Sequence, residues 1–176
     1  MTTQVIVVMS CGYAVALAAV IYFTRATTRR VMGVLAGGAT VGLMAVGAIA
    51  LGEYEGWWRI PSDSTPYFWP LMYLGLAISC SPIYLVTWRT VRRFGGRGLA
   101  VFIVLVAVIG PPRDYLYTMV FPAWMTFATG IAPILADAVT YVLIVILGHA
   151  VMRLVAGPSG EDRLARRPSP NPSVTN

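Results

Sequence analysis

Lysine is missing from this chain altogether, and charge of either sign is scarce: 11% of its 176 residues are charged, while 57% are apolar. A soluble domain carries about 25% charged residues, so the deficit excludes an ordinary water-facing surface. Cysteine is down to two, Cys11 and Cys80, and each lies inside an apolar run. That excludes a disulfide framework, and both read as small buried hydrophobes. With one histidine besides, the chain cannot build a standard zinc site unless carboxylates help. No cofactor motif is present: there is no Gly-rich phosphate loop, no His-Glu-x-x-His and no Gly-x-Ser-x-Gly. The Asp-x-x-Asp pair that would hold magnesium and a diphosphate is also absent. Residues 1–4 carry no charged side chain, so the positive start of a cleavable signal peptide is lacking.

What charge there is falls in a pattern. Eleven of the thirteen arginines form three clusters: Arg25/Arg29/Arg30, Arg89/Arg92/Arg93/Arg97 and Arg153/Arg163/Arg166/Arg167. Long apolar runs separate them, and only Arg59 and Arg113 stand on the far side of those runs. This is the positive-inside distribution of a chain that crosses a membrane repeatedly. The net charge of +6 and pI near 9.7 therefore do not point to nucleic acid. The arginines sit at the ends of apolar runs and form no interleaved basic and aromatic surface.

Five runs reach or approach the roughly 20 residues that a transmembrane helix needs: residues 4–24, 31–52, 67–88, 99–117 and 131–152. The expected fold is an all-α integral membrane protein, a five-helix bundle in the cell membrane with its N-terminus outside and its C-terminus cytoplasmic. The loop 53–66 is then external at a net −2, and the loop 89–97 internal at +4. Gly110-Pro111-Pro112 should kink or break the fourth helix, because proline lacks a donor and clashes with the preceding turn. Beyond it, residues 115–129 either resume the helix or lie at the interface. Ser79-Cys80-Ser81-Pro82 should interrupt the third helix, the serines satisfying freed carbonyls. Residues 1–156 form the membrane domain. The tail 157–176, rich in Pro, Ser and Arg, is expected to be a disordered cytoplasmic segment that touches anionic lipid headgroups. Gly33/Gly37 and Gly38/Gly42 are small-xxx-small pairs. They serve close packing within the chain, or contact with a second copy or a membrane-protein partner.

Ionisable groups within the apolar runs are the candidates for chemistry, since their placement there is costly. Asp137 lies six residues into the fifth helix, and Arg113, Arg59 or Tyr141 at i+4 could partner it. Arg113-Asp114 follows the double proline, where Asp114 caps freed amides or lines a cavity. Glu53 and Glu55 close the second helix, ahead of Trp57, Trp58 and Arg59. The topology places all these acids, with Tyr115, toward the outer side. His149, some 18 Å along the helix from Asp137, reads as a packing residue.

The function expected from this set is acid/base chemistry on a lipid or isoprenoid: isomerisation, or a proton-initiated cyclisation. Asp137, Asp114 and Glu53 would be the acid/base groups. Arg113, Tyr141, Trp57, Trp58, Arg59 and Tyr115 would line the substrate site, without metal or cofactor. The alternatives are a non-catalytic membrane subunit and an ion or solute permeation subunit. The absence of an internal repeat argues against a self-contained inverted-repeat transporter.

Overall fold

The computed structural model describes residues 3–61 and 65–158. The tail expected from 157 onward lies outside the described residues, except for Gly157 and Pro158. Four long helices make the fold: α1 (Thr3–Thr24), α2 (Thr28–Tyr54), α3 (Phe68–Val120) and α4 (Ile131–Ala156). Two short strands join them at one end, β1 (Trp58–Arg59) after α2 and β2 (Thr126–Phe127) after α3. All four helices are long and apolar enough to cross a membrane. A helix is the form such sequences take in lipid, because it satisfies every interior backbone group within its own segment.

The third helix is the unexpected element. Its 53 residues would reach about 80 Å if straight, more than twice a ~30 Å hydrocarbon core. It is not straight. Gly95 has φ 62° and ψ −157°, a conformation open almost only to glycine. Arg113 is also close enough to Cys80 for its charge to act there. On a straight helix those two positions would stand about 50 Å apart. The helix therefore folds back at Gly95 into two arms, residues 68–94 and 96–120. The expected loop at 89–97 reduces to that one glycine.

The prolines behave differently from the sequence expectation. Pro82, Pro111 and Pro112 all lie inside α3, and Gly95 alone among its residues has non-helical dihedrals. Neither Pro111-Pro112 nor Ser79–Pro82 breaks the helix. The fixed φ of proline is itself helical. Hydroxyls also turn back onto the helix backbone near Pro82, Ser79 Oγ donating to Leu76 O at 3.0 Å and Ser81 Oγ to Ala77 O at 2.8 Å. The second arm consequently continues to Val120, past the limit of 117 that the sequence suggested.

Packing centres on α2 and α3. α2 packs on α3 and α4, whereas α1 packs on α3. The stripe Arg30, Gly33, Val34, Gly37, Val41 and Ala45 is the buried face of α2, at the spacing of one helix side. Gly33 abuts Met152 and Ala156 of α4, Gly37 meets Gly148 and Tyr84, and Gly38 and Gly42 meet Ala77 of α3. All four small faces are thus taken up within the chain. A Cβ on Gly37 would stand 2.6 Å from the Gly148 carbonyl oxygen, so backbone contact here depends on glycine. The Tyr84 side chain fills the notch beside Gly148 and donates from its hydroxyl to Ile144 O at 3.2 Å. By contrast, α1 buries only Ile6 and Leu17. Val8, Val15 and Phe23 are left exposed, as an apolar helix face turned to lipid would be.

At the turn between α1 and α2, Arg25 occupies the left-handed region with φ 53°. Arg25 N donates to Tyr22 O and Ala26 N to Ile21 O, the paired bonds of a Schellman cap. Thr27 then opens α2 by accepting from Arg30 N at 3.3 Å.

Candidate functional site

Three polar groupings emerge, and they divide the sequence candidates among them. The first joins the second arm of α3 to α4. Arg113 donates to Asp114 Oδ1 from Nε at 2.8 Å and from Nη2 at 2.5 Å. Tyr141 donates its hydroxyl proton to Asp114 Oδ2 at 2.6 Å. The Arg113 guanidinium also contacts the Tyr141 hydroxyl and lies 5.4 Å from the centre of its ring. Gly110 makes this approach practicable, because a Cβ there would collide with the Tyr141 ring. Arg113 is exposed while Asp114 is 20% exposed, so the carboxylate sits beneath its cation.

Asp137 stands beside this trio without joining its bonds. It is 8% exposed, and its Oδ2 is buried with no hydrogen-bond partner among the described residues. Both Asp114 and Arg113 lie within electrostatic reach, as does Tyr115. The partners expected from sequence are therefore corrected. Arg113 is bonded to Asp114, its immediate neighbour, which needs no reach across helices. Tyr141 bonds the same carboxylate on α3 and not Asp137 one turn before it. Asp114 accepts from two side chains, and no backbone amide figures in that set.

Tyr115 connects this cluster to an open surface groove of about 240 Å³, lined with Met119, Met125, Thr126 and Phe127. Its ring stacks on Phe127 with centroids 4.5 Å apart and an interplanar angle of 19°. Its hydroxyl donates to Ala128 O at 3.2 Å. The wall is aromatic and thioether-rich, and its size admits an apolar segment of a larger molecule and not a whole one.

The second grouping is a clasp. β1 and β2 pair antiparallel, Trp58 opposite Phe127 and Arg59 opposite Thr126, and Ala128 N donates to Trp57 O at 2.8 Å. Trp58 is buried beside Gly52, where a Cβ would overlap the indole, and donates from Nε1 to Ile49 O at 3.2 Å. Glu53 Oε1 accepts from Ile60 N at 2.9 Å. Trp57 and Trp58 thus fasten the loop after α2 to the loop after α3, Glu53 ties that first loop back onto the end of α2, and the Glu55 and Arg59 residues are exposed. Of the nine sequence candidates, Asp137, Asp114, Arg113, Tyr141 and Tyr115 come together. Glu53, Trp57, Trp58 and Arg59 belong to the clasp.

The third grouping escaped the sequence reading. Arg30 is 1% exposed, and its Nη2 donates to the last carbonyl of α4, Ala156 O, and to Gly157 O and Pro158 O just beyond it, at 3.2–3.4 Å. Arg30 and Arg89 each lie 5.2 Å from the centre of the Trp88 ring. His149, read as a packing residue, is buried and holds Thr87 Oγ1 at 2.9 Å through Nδ1. The signal for Arg30 was present: it falls in register with Gly33, Gly37 and Val41 on the packed face of α2.

Comparison with protein-family models, with curated proteins and with solved structures finds no match to this chain.

Proposed function

We propose that the chain is a five-crossing protein of the cell membrane that transfers protons on a hydrophobic substrate, a lipid or isoprenoid. The two arms of α3 count as separate crossings in this reading. The arginine clusters then face the cytoplasm and the Asp137 cluster the outer side. The observation that carries the functional reading is the unpartnered buried oxygen of Asp137. Leaving such an atom unsatisfied costs about 1–3 kcal/mol, and catalytic sites are among the places where that cost is kept.

The chemistry follows from two carboxyl groups with different surroundings. Asp137, in its acid form, gives a proton to a carbon–carbon double bond of the substrate. Cationic charge then develops on the hydrocarbon, where the Tyr115 and Phe127 rings offer π faces. Asp114, paired with Arg113, is the carboxylate that takes a proton from a neighbouring carbon. Loss of that proton yields a shifted double bond, or a ring where the cation has first been captured by a second double bond. One proton is added to the substrate and one removed, and the proton left on Asp114 exchanges through water back to Asp137 before the next turnover, so no cofactor is needed. Tyr141 positions Asp114 between the helices.

Deuterium labelling tests this directly. The purified protein, reconstituted with a membrane lipid extract in heavy water, should place deuterium on carbon in one lipid or isoprenoid species. Asp137→Asn should abolish the label. Equal labelling by both proteins, or by neither, would remove the proposal.

A further inference from the structure

We propose that the arginine end of the molecule contains a binding site for a phosphate-bearing anion. The site is a cavity of about 240 Å³ between α2, α3 and α4, lined by Arg30, Val91, Gly95, His149, Met152 and Arg153. It is separate from the Asp137 cluster and does not depend on the function proposed for it.

Charge is the first argument. Eight arginines gather at this end: Arg25, Arg29 and Arg30 at the turn into α2, Arg89, Arg92, Arg93 and Arg97 around Gly95, and Arg153 on α4. Their proximity is direct in several places. Arg89 donates to Thr24 O, Arg30 reaches the end of α4, and Arg29 lies beside Gly157. The carboxylates of the described residues are Glu53, Glu55, Asp114 and Asp137, all at the opposite end. The end of α4 contributes about half a negative charge through its last carbonyls. Arg30 lies on those carbonyls, and one guanidinium more than offsets them. The lining as a whole is cationic.

Preorganisation is the second argument. A guanidinium in a flexible side chain loses rotamer freedom when it captures an anion. Arg30 has lost it already, held by Trp88 and by α4. His149 is likewise fixed through Nδ1 by Thr87, which leaves Nε2 as the remaining polar atom of its ring. Arginine suits phosphate oxygens because it presents several donors in one plane.

Size and position define the guest. The cavity is smaller than the ~300–1,000 Å³ pockets that take whole small molecules, and many times the ~30 Å³ share of one water. A phosphate group fits, but a whole nucleotide does not. The cavity lies where α2 begins and α4 ends, the level at which lipid phosphates meet helix termini. Phosphate oxygens are the shared chemistry, whether they belong to a lipid headgroup or to free inorganic phosphate.

The test uses the full chain purified in neutral detergent, with its thermal unfolding followed during titration. Phosphatidic acid should raise the unfolding temperature and phosphatidylcholine should not. Arg153→Gln should weaken the apparent affinity ~10-fold, the size of one charge-assisted hydrogen bond. Val91→Trp, which fills the cavity without changing charge, should weaken it comparably. Arg97→Gln removes the same charge from an exposed position outside the cavity and should change the affinity less than about 2-fold, as a screened surface charge does. Stabilisation and competition by inorganic phosphate assign the site to free phosphate; stabilisation by the lipid alone assigns it to a headgroup. Equal losses in Arg153→Gln and Arg97→Gln would mean diffuse surface attraction and overturn the site. Equal effects of the two lipids, with none from inorganic phosphate, would do the same.

Discussion

The Tyr141 hydroxyl donates to Asp114 Oδ2 at 2.6 Å and so bonds α4 to the second arm of α3 across 27 positions of sequence. Tyr141→Phe removes that bond and leaves the ring that packs on Gly110. A hydrogen bond to a charged acceptor contributes about 1.5–3 kcal/mol, so unfolding in detergent should show a loss of that order. Turnover should fall as well, because Asp114 then answers to Arg113 alone. An unchanged unfolding curve would mean that the bond contributes nothing to holding the two helices together.

The contact of Tyr84 with Gly148 sets a second expectation. Gly148→Ala pushes a methyl group into the Tyr84 ring and should cost about 1–3 kcal/mol, as overpacking does. Gly47 supplies the control. It lies in the same bundle with nothing within 4 Å of an added Cβ. Gly47→Ala should leave stability unchanged or raise it by up to ~1 kcal/mol through helix propensity. Thermal unfolding of the two variants side by side separates steric from general effects.

Gly95 should resist substitution for a different reason. Its surroundings are open, with nothing within 4 Å, but its φ is positive. Gly95→Ala should therefore cost ~1–3 kcal/mol of backbone strain. Gly96→Ala, one residue on and equally open, should be close to neutral. Similar losses at both sites would place the fold-back of α3 elsewhere.

If that fold-back makes two crossings, the chain ends lie on opposite sides of the membrane. Reporter fusions in the source organism check this. Fusions after Pro158 and at Gly96 should report the cytoplasm, and one after Arg59 the outer side. A fusion at Gly96 that reports the outer side would reverse the orientation or change the number of crossings.

The helices were legible in the sequence because lipid imposes length and apolarity on every spanning segment. The runs 4–24 and 131–152 fall within α1 and α4 almost residue for residue. Pro111 and Pro112 are ambiguous signals in the sequence, because the bond each removes predicts a break while the φ each enforces permits a helix. Gly95 does not stand apart in the sequence, because Gly95, Gly96 and Gly98 share one basic stretch and any of them suits a loop. Asp137, Asp114, Arg113 and Tyr141 were legible as a set, being polar groups stranded in apolar runs. Their pairing was not, because it depends on which faces of α3 and α4 meet. The clasp of Trp58 with Phe127 is likewise a long-range contact, 69 positions apart by residue number, and no local pattern announces it. Arg30 was hidden by its cluster, where a buried cation resembles its solvated neighbours.

The central claim is that Asp137 acts on a hydrophobic molecule, and lipid extracts from three strains test it most directly. One strain lacks the gene, one carries it intact, and one carries Asp137→Asn, with membrane levels of both proteins matched. Mass spectrometry should find a lipid or isoprenoid species that appears with the intact chain and is missing from the other two. Three identical extracts would contradict the account, and so would a species that Asp137→Asn restores in full.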